Sequence, residues 1–332
     1  MIKFISLIAF YLALNTANGQ QYTTLVLKGG GIRGIAYAGA IKVLEEKNVL
    51  QNINNVAGTS VGAIVASLIA VGYNAEEIKD IMMKLKIEEF NDGQFFFIGG
   101  QKRLRKNFGW YKGEVLEDWL GDLIKAKTGN ANTTLAQLHD LALKNKKIKN
   151  LYITTTNLSK QRMEIFSWQN HPNISIKTAV HASIAIPLYF SAVLLDSNDN
   201  RIKRPGNTKL FSVYIDGGLL ANYPLNIFDS ANLNSHTLGL KLERPEQIEF
   251  SKTSSGIAPY NIYGFNSYIA ALYNIVIENL NKNESQKEEQ GRTIYISTNN
   301  LGPKVRHIPN SEKEILYDNG MKAAKAFFLK NP

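Results

Sequence analysis

Residues 55–62 read Asn55-Val56-Ala57-Gly58-Thr59-Ser60-Val61-Gly62, and the nine residues that follow, Ala63 to Val71, are apolar or small. Asn55 to Ala57 reads as the end of a short β-strand and Ala63 to Val71 as a buried helix. Between them Gly58 and Gly62 flank Ser60 in the spacing G-x-S-x-G, with Thr59 and Val61 in the open positions. A serine at a sharp strand-to-helix turn is a nucleophile elbow. The turn is too tight for side chains on either flank, which explains the two glycines. It lifts the hydroxyl out of the sheet, and the helix N-terminus behind it directs free N–H groups at developing negative charge. The competing reading is a plain strand-to-helix connection in which Ser60 only caps the helix.

The same pattern occurs once more upstream. Tyr22 to Leu27 reads as a strand, Gly29-Gly30-Gly31-Ile32-Arg33-Gly34 as a glycine turn, and Ile35 to Lys47 as a helix with small residues for close packing. Strand, glycine turn and helix, repeated, open a parallel α/β sheet. Acyl transfer needs N–H donors aimed at a tetrahedral oxyanion, and successive glycines let neighbouring amides converge. Arg33 either adds positive potential or holds the loop. Gly29, Gly31 and Gly34 also satisfy G-x-G-x-x-G, so a dinucleotide site competes. That fingerprint wants an acidic residue about 20 residues on, whereas Asn52 to Gly58 contains none. The oxyanion loop therefore ranks above a cofactor loop.

Further along, helices are expected over Ala75 to Leu85, Glu114 to Lys127, Thr134 to Lys144 (capped by Thr133 or Thr134) and Ser175 to Ser183. Ile262 to Leu280 and Ser311 to Leu329 complete the set, the last with a capping box of Ser311 and Glu314. Strands are expected over Leu151 to Thr156, Val213 to Ile215, Thr237 to Leu242 and Thr293 to Ser297. Residues 90–112 read as irregular and 196–209 as an exposed loop. The strand at Val213 closes on Asp216-Gly217-Gly218; taken alone, that tripeptide is an ordinary turn aspartate. The five histidines, His139, His171, His181, His236 and His307, read as structural or surface groups. No cluster has metal-ligand spacing, and no cofactor is expected.

Taken together, these blocks resemble the patatin-like phospholipase family. Gly29 to Gly34 match its G-G-G-x-[KR]-G loop, Gly58 to Gly62 its elbow and Asp216 to Gly218 its D-G-[GA] block. His181-Ala182-Ser183-Ile184-Ala185-Ile186-Pro187 with Tyr189-Phe190 looks like a fourth block, with His181 where the family usually carries arginine or lysine. Asn222 and Pro224 also fit. The resemblance implies a three-layer α/β/α fold with a mostly parallel central sheet. It implies a serine–aspartate dyad in which Ser60 attacks an ester and Asp216 takes its proton. The oxyanion would be held by backbone amides around Gly30, Gly31 and Ile32. It also implies a phospholipid or other acyl-lipid substrate and no need for calcium. A catalytically silent lipid binder on the same fold is the alternative function. Intact Ser60 and Asp216 argue against it.

Composition sets the remaining expectations. With 332 residues, 44% hydrophobic and 20% charged, the chain is globular in class. No linker separates the motifs, so residues 20–332 are expected to form one domain, with 229–332 an extension beyond the matched blocks. Lys3, the apolar run Phe4 to Leu14, and small Ala17 and Gly19 have the layout of a secretory leader over residues 1–19. Zero cysteines exclude disulfides, thiolate metal sites and a lipoprotein anchor. Together these fit an exported bacterial protein that is periplasmic, outer-membrane-associated or extracellular. The formal charge of +10 favours anionic partners. Phe95 to Lys112 interleaves Phe95, Phe96, Phe97, Phe108 and Trp110 with Lys102, Arg103, Arg105, Lys106 and Lys112, the composition of a stretch that docks on an anionic membrane. Nucleic acid is not an expected partner, and the sequence leaves the oligomeric state open.

Overall fold

The computed structural model describes residues 21–93, 96–202, 210–230, 233–281, 289, 291–299, 301 and 308–331. The proposed leader, Phe95, His307 and residues 203–209 of the expected loop lie outside the described residues.

The chain opens with β1 (Thr24–Leu27), α1 (Ile35–Glu46), β2 (Asn55–Gly58), α2 (Val61–Ala70) and α3 (Ala75–Lys84). β1 is buried along its length and α2 at all ten positions. This accounts for the near-apolar sequence of β1, because a parallel strand is covered on both faces. α3 starts at an Asn74–Glu77 capping box, which satisfies free N–H groups at the helix start. Next come α4 (Phe96–Asn107), β3 (Gly109–Tyr111), α5 (Glu114–Thr128), α6 (Leu135–Lys144), β4 (Asn150–Asn157) and β5 (Arg162–Phe166). Thr134 caps α6 through a reciprocal pair with Gln137. The chain continues through α7 (Ile176–Ile184), β6 (Leu188–Phe190), β7 (Val193–Leu195) and β8 (Ser212–Asp216). It ends with β9 (Thr237–Glu243), α8 (Pro245–Thr253), α9 (Phe265–Leu280), β10 (Thr293–Ser297) and α10 (Asn310–Lys330).

Two expectations change. Residues 96–107, read as irregular, form α4, where the mixture of aromatic and basic residues had hidden the helical period. The final helix starts at Asn310 with Pro309 at its N-cap position and no side-chain cap. Ser311 therefore lies inside the first turn and the Ser311–Glu314 capping box does not form.

Eight strands form the main sheet in the order β10-β9-β1-β2-β4-β8-β7, with β5 also paired to β4. Pairs from β10 through β4 are parallel, and β5, β7 and β8 run antiparallel to their partners. Helices cover this sheet, giving the expected α/β class. The last third of the chain is built into it. β9 pairs with β1, and α10 packs on α1 so closely that a Cβ at Gly39 would lie 1.9 Å from Tyr317 O, and one at Gly320 1.9 Å from Ala36 O.

The register around β4 positions the functional groups. Ile153 pairs with both Gly58 and Phe166, and Thr155 with both Glu164 and Asp216. A strand residue has one partner on each side, so β5 occupies one edge of β4 while β2 and β8 share the other. β2 runs up that edge to Gly58 and β8 runs the opposite way to Asp216. Their carboxyl ends meet head-on at Thr154.

Candidate active site

Ser60 sits one residue past that meeting point. Its backbone has φ 53° and ψ −124°, a region unfavourable for a residue with a Cβ, and holding such a conformation costs about 1–3 kcal/mol. The surroundings enforce it. A Cβ at Gly58 would lie 2.3 Å from Gly62 O, and one at Gly62 2.4 Å from Leu27 O. The sequence reading of these two glycines thus has a direct steric cause. The Ser60 N–H donates to Ser183 Oγ (2.9 Å), and that hydroxyl donates to Thr154 O (2.7 Å). Thr59 Oγ1 bonds Thr154 Oγ1 and donates to Ala221 O (2.7 Å).

Asp216 ends β8 and is buried, at 6% exposure. Ser60 Oγ donates to its Oδ2 at 3.0 Å and the Gly218 N–H donates to its Oδ1 at 2.7 Å. Thr155 Oγ1 holds Ile215 O, Thr156 Oγ1 holds Asp216 O, and the Asp216 N–H donates to Ala185 O. Burial raises the Asp216 pKa from 3.8 to about 6, against the lowering effect of the hydrogen bonds from Gly218 and Ser60. Isolated carboxylates lose hydration in such a place, so the neutral acid gains.

The glycine loop lies beside the serine: a Cβ at Gly29 would be 3.5 Å from Ser60 Cβ. Its six residues divide by role. Gly29 N–H donates to Asn222 O (2.8 Å), so that donor ties the loop to the segment after Asp216. Arg33, one of the two options left open by its sequence, is a brace: Nε donates to Gly30 O (2.7 Å) and a terminal nitrogen to Leu301 O (3.2 Å). Gly34 faces Val61, whose Cγ2 would lie 2.4 Å from an added Cβ. Gly31 takes a left-handed φ of 59° and starts the 3-10 turn Gly31–Gly34. Gly30 and Ile32 flank Gly31 in the same loop.

Among the described residues no histidine touches Ser60 or Asp216. His139 stacks on Trp168, His171 bonds Asp199, and His236 faces Gln21 O. His181 is fully buried with Nδ1 3.2 Å from Glu117 Oε1. Arg201 also pairs with Glu117, so a guanidinium from another loop brings a permanent cation to this neighbourhood. Burial opposes the Glu117 charge, but His181 and Arg201 outweigh it and hold its pKa at about 2.

Sequence reading gave no role to the supports of the site: Thr154, Thr155, Thr156, Ser183 and Lys28. The three threonines in a row on a β-branched strand carried only the general signal of sheet propensity. Lys28 immediately precedes the glycine loop and is 5% exposed. Its Nζ lies 3.1 Å from both Glu243 Oε2 and Glu278 Oε1. Burial works against its charge, but the two carboxylates more than offset that and raise its pKa.

The basic stretch is also refined. Arg103 Nε donates to Trp110 O (2.8 Å), so it fastens α4 to β3, while Lys102, Arg105 and Lys106 are exposed.

With this geometry established, likeness to known proteins is informative. The patatin-like phospholipase family profile matches residues 25–229. An uncharacterised protein of Acanthamoeba polyphaga mimivirus is 28% identical over 313 residues, which are 94% of this chain and 95% of that protein. Patatin-like protein 2 of Arabidopsis thaliana is 29% identical over 228 residues, 62% of this chain and 51% of its own length. In three dimensions VipD from Legionella pneumophila superposes with a TM-score of 0.59 at 21% identity, over 94% of this chain and 67% of VipD. That likeness shows the shared fold. The family match spans all three glycine-marked blocks and the residues that bring Ser60 to Asp216, and the chain belongs to the patatin-like phospholipase family.

Proposed function

We propose that this chain hydrolyses acyl esters of phospholipids or related lipids, with Ser60 as nucleophile and Asp216 as base. The 3.0 Å hydrogen bond from Ser60 Oγ to Asp216 Oδ2 carries this reading. As Oγ attacks the ester carbonyl carbon, its proton passes to Oδ2. A base with a pKa near 6 accepts that proton more readily than an ordinary aspartate with a pKa of 3.8. The carbonyl oxygen becomes an oxyanion held by the N–H groups around Gly30, Gly31 and Ile32. Collapse breaks the ester bond, and the proton on Asp216 goes to the leaving alkoxide. Water then gives a proton to Asp216 and attacks the acyl-enzyme. The acyl–Oγ bond breaks, Ser60 regains the proton, and the fatty acid leaves.

A fluorophosphonate probe and a p-nitrophenyl ester test this directly. Parent protein should be labelled and should turn over, and Ser60→Ala should do neither. An unlabelled, inactive parent would favour the silent lipid binder instead.

The same reading includes export and surface binding. The leader over residues 1–19 would be removed, so N-terminal sequencing of exported protein should begin at Gln20. The exposed cations Lys102, Arg105 and Lys106 on α4 would attract anionic lipid, each contributing about 1 kcal/mol near the surface. Neutralising the three should weaken vesicle binding in low salt, and unchanged binding would remove α4 from the docking surface.

A further inference from the structure

Helix α9 turns a run of large apolar side chains to water. Phe265, Tyr268, Leu272, Ile275, Val276 and Leu280 are each 44–77% exposed. At ~100° per residue they fall within an arc of about 140° on one side of the helix. The opposite side supplies the polar contacts to the body of the protein. Glu278 Oε1 is 3.1 Å from Lys28 Nζ. Asn281, at the helix end, donates through Nδ2 to Gly218 O (3.1 Å) and accepts at Oδ1 from the Asn222 N–H (2.7 Å). An ordinary surface helix of a water-soluble protein buries its apolar stripe, and a contiguous exposed stripe marks an interaction surface.

Three observations specify what covers it. First, the inward contacts go to Lys28, next to the glycine loop, and to Gly218 and Asn222, next to Asp216. The inward side of α9 therefore rests on the two loops that hold the proposed dyad, and the family acts on lipids. Second, from Ile257 to Asn281 the sole charged residue is Glu278, which is paired inward, while the chain carries 38 Lys and Arg against 28 Asp and Glu. An uncharged stripe on a cationic protein matches an apolar boundary under anionic headgroups. Third, Phe265, Tyr268 and the 88% exposed Tyr263 cluster at one end, and such rings favour the headgroup level. Among the described residues no helix is long and apolar enough to cross a membrane.

We propose that α9 is an interfacial docking helix that beds its exposed apolar stripe in an anionic phospholipid surface and thereby sets the dyad loops at that surface. Only the choice of lipid as occupant rests on the hydrolase reading. Binding is therefore measured on Ser60→Ala protein, so that it does not depend on turnover. In that background Leu272→Trp should show a blue-shifted emission on adding phosphatidylcholine–phosphatidylglycerol vesicles, and brominated lipid should quench it. The combined Leu272→Ser, Ile275→Ser and Val276→Ser variant should lose at least ~10-fold in vesicle partition with an unchanged melting transition. Should that variant fail to fold, the Leu272→Trp readout still decides. No blue shift, or full vesicle binding by a folded triple variant, would overturn the proposal. So would a concentration-dependent dimer that the triple variant abolishes without any vesicle binding, which would assign the stripe to a second copy of the chain. A protein that binds vesicles through α9 but hydrolyses no ester would refute the hydrolase reading alone.

Discussion

Along β4, Ser60 and Asp216 are held by buried hydroxyl and backbone contacts from Thr154, Thr155, Thr156 and Ser183. Helix α9 leans on the same two loops through Glu278 and Asn281 and turns its apolar side outward. The difference separates two requirements of a lipid hydrolase. The proposed chemistry needs a serine and a carboxylate fixed within hydrogen-bond distance, which strand ends locked by register supply. The proposed docking on lipid needs exposed apolar surface, which a sheet core cannot offer and a late helix attached by a few polar contacts does.

The comparison breaks most severely if the dyad side does not carry catalysis. Ser60→Ala should reduce ester turnover by roughly 10⁴-fold or more, read with a soluble p-nitrophenyl ester. Asp216→Asn should cost on the order of 10³-fold, and it sharpens the role of burial. Because the folded pKa of about 6 lies above the ordinary 3.8, the folded protein binds this proton more tightly than the unfolded chain does. The resulting stabilisation is full below pH 3.8 and is lost as pH rises through 6. The uncharged Asp216→Asn variant should therefore melt higher than the parent at about pH 7–8, by an amount on the order of 2–3 kcal/mol in stability. Activity runs the other way. In the parent, kcat/KM should fall about tenfold per pH unit below an apparent pKa near 6, and a profile flat down to about pH 5 would rule out Asp216 as the base.

Smaller effects probe the supports. Ser183→Ala removes the acceptor of the Ser60 N–H and should cost about 1–2 kcal/mol in stability, with a fall of roughly tenfold in kcat. Chemical denaturation and steady-state kinetics would measure both. At the weak end, Glu278→Gln loosens one polar contact of α9. Glu243 remains beside Lys28, so the change in stability should stay below about 1 kcal/mol. A collapse of the fold in this variant would mean that α9 is as rigidly built in as β4, and the contrast would fail.

Much of the site was legible because its requirements are local. Gly58 and Gly62 are dictated by backbone atoms within four residues or on the adjoining β1 turn, so a five-residue pattern carries them. The two strand–turn–helix repeats announced the parallel sheet for the same reason. Asp216 was legible only through the resemblance, since nothing within its own tripeptide separates a buried base from a turn residue. Arg33 was named, but whether it braced the loop or charged it depended on Gly30 O and on Leu301, 268 residues away. The capping box at Ser311 failed because Asn310 already takes helical geometry, which moves the first turn one residue earlier than the motif required.

By itself the sequence determined the serine elbow, the glycine turn and the succession of parallel strands, all of which rest on steric rules acting over a few residues. Tertiary structure alone decided that Ser60 would meet Asp216, 156 residues further along the chain. β2 and β8 share one edge of β4 in opposite directions, and the register of that edge brings Gly58 opposite Ile153 and Asp216 opposite Thr155. Tertiary structure also decided which side of α9 faces water. The helical period shows that a helix has two faces, but the partners of Glu278 and Asn281 lie on Lys28, Gly218 and Asn222, and only folding places them there.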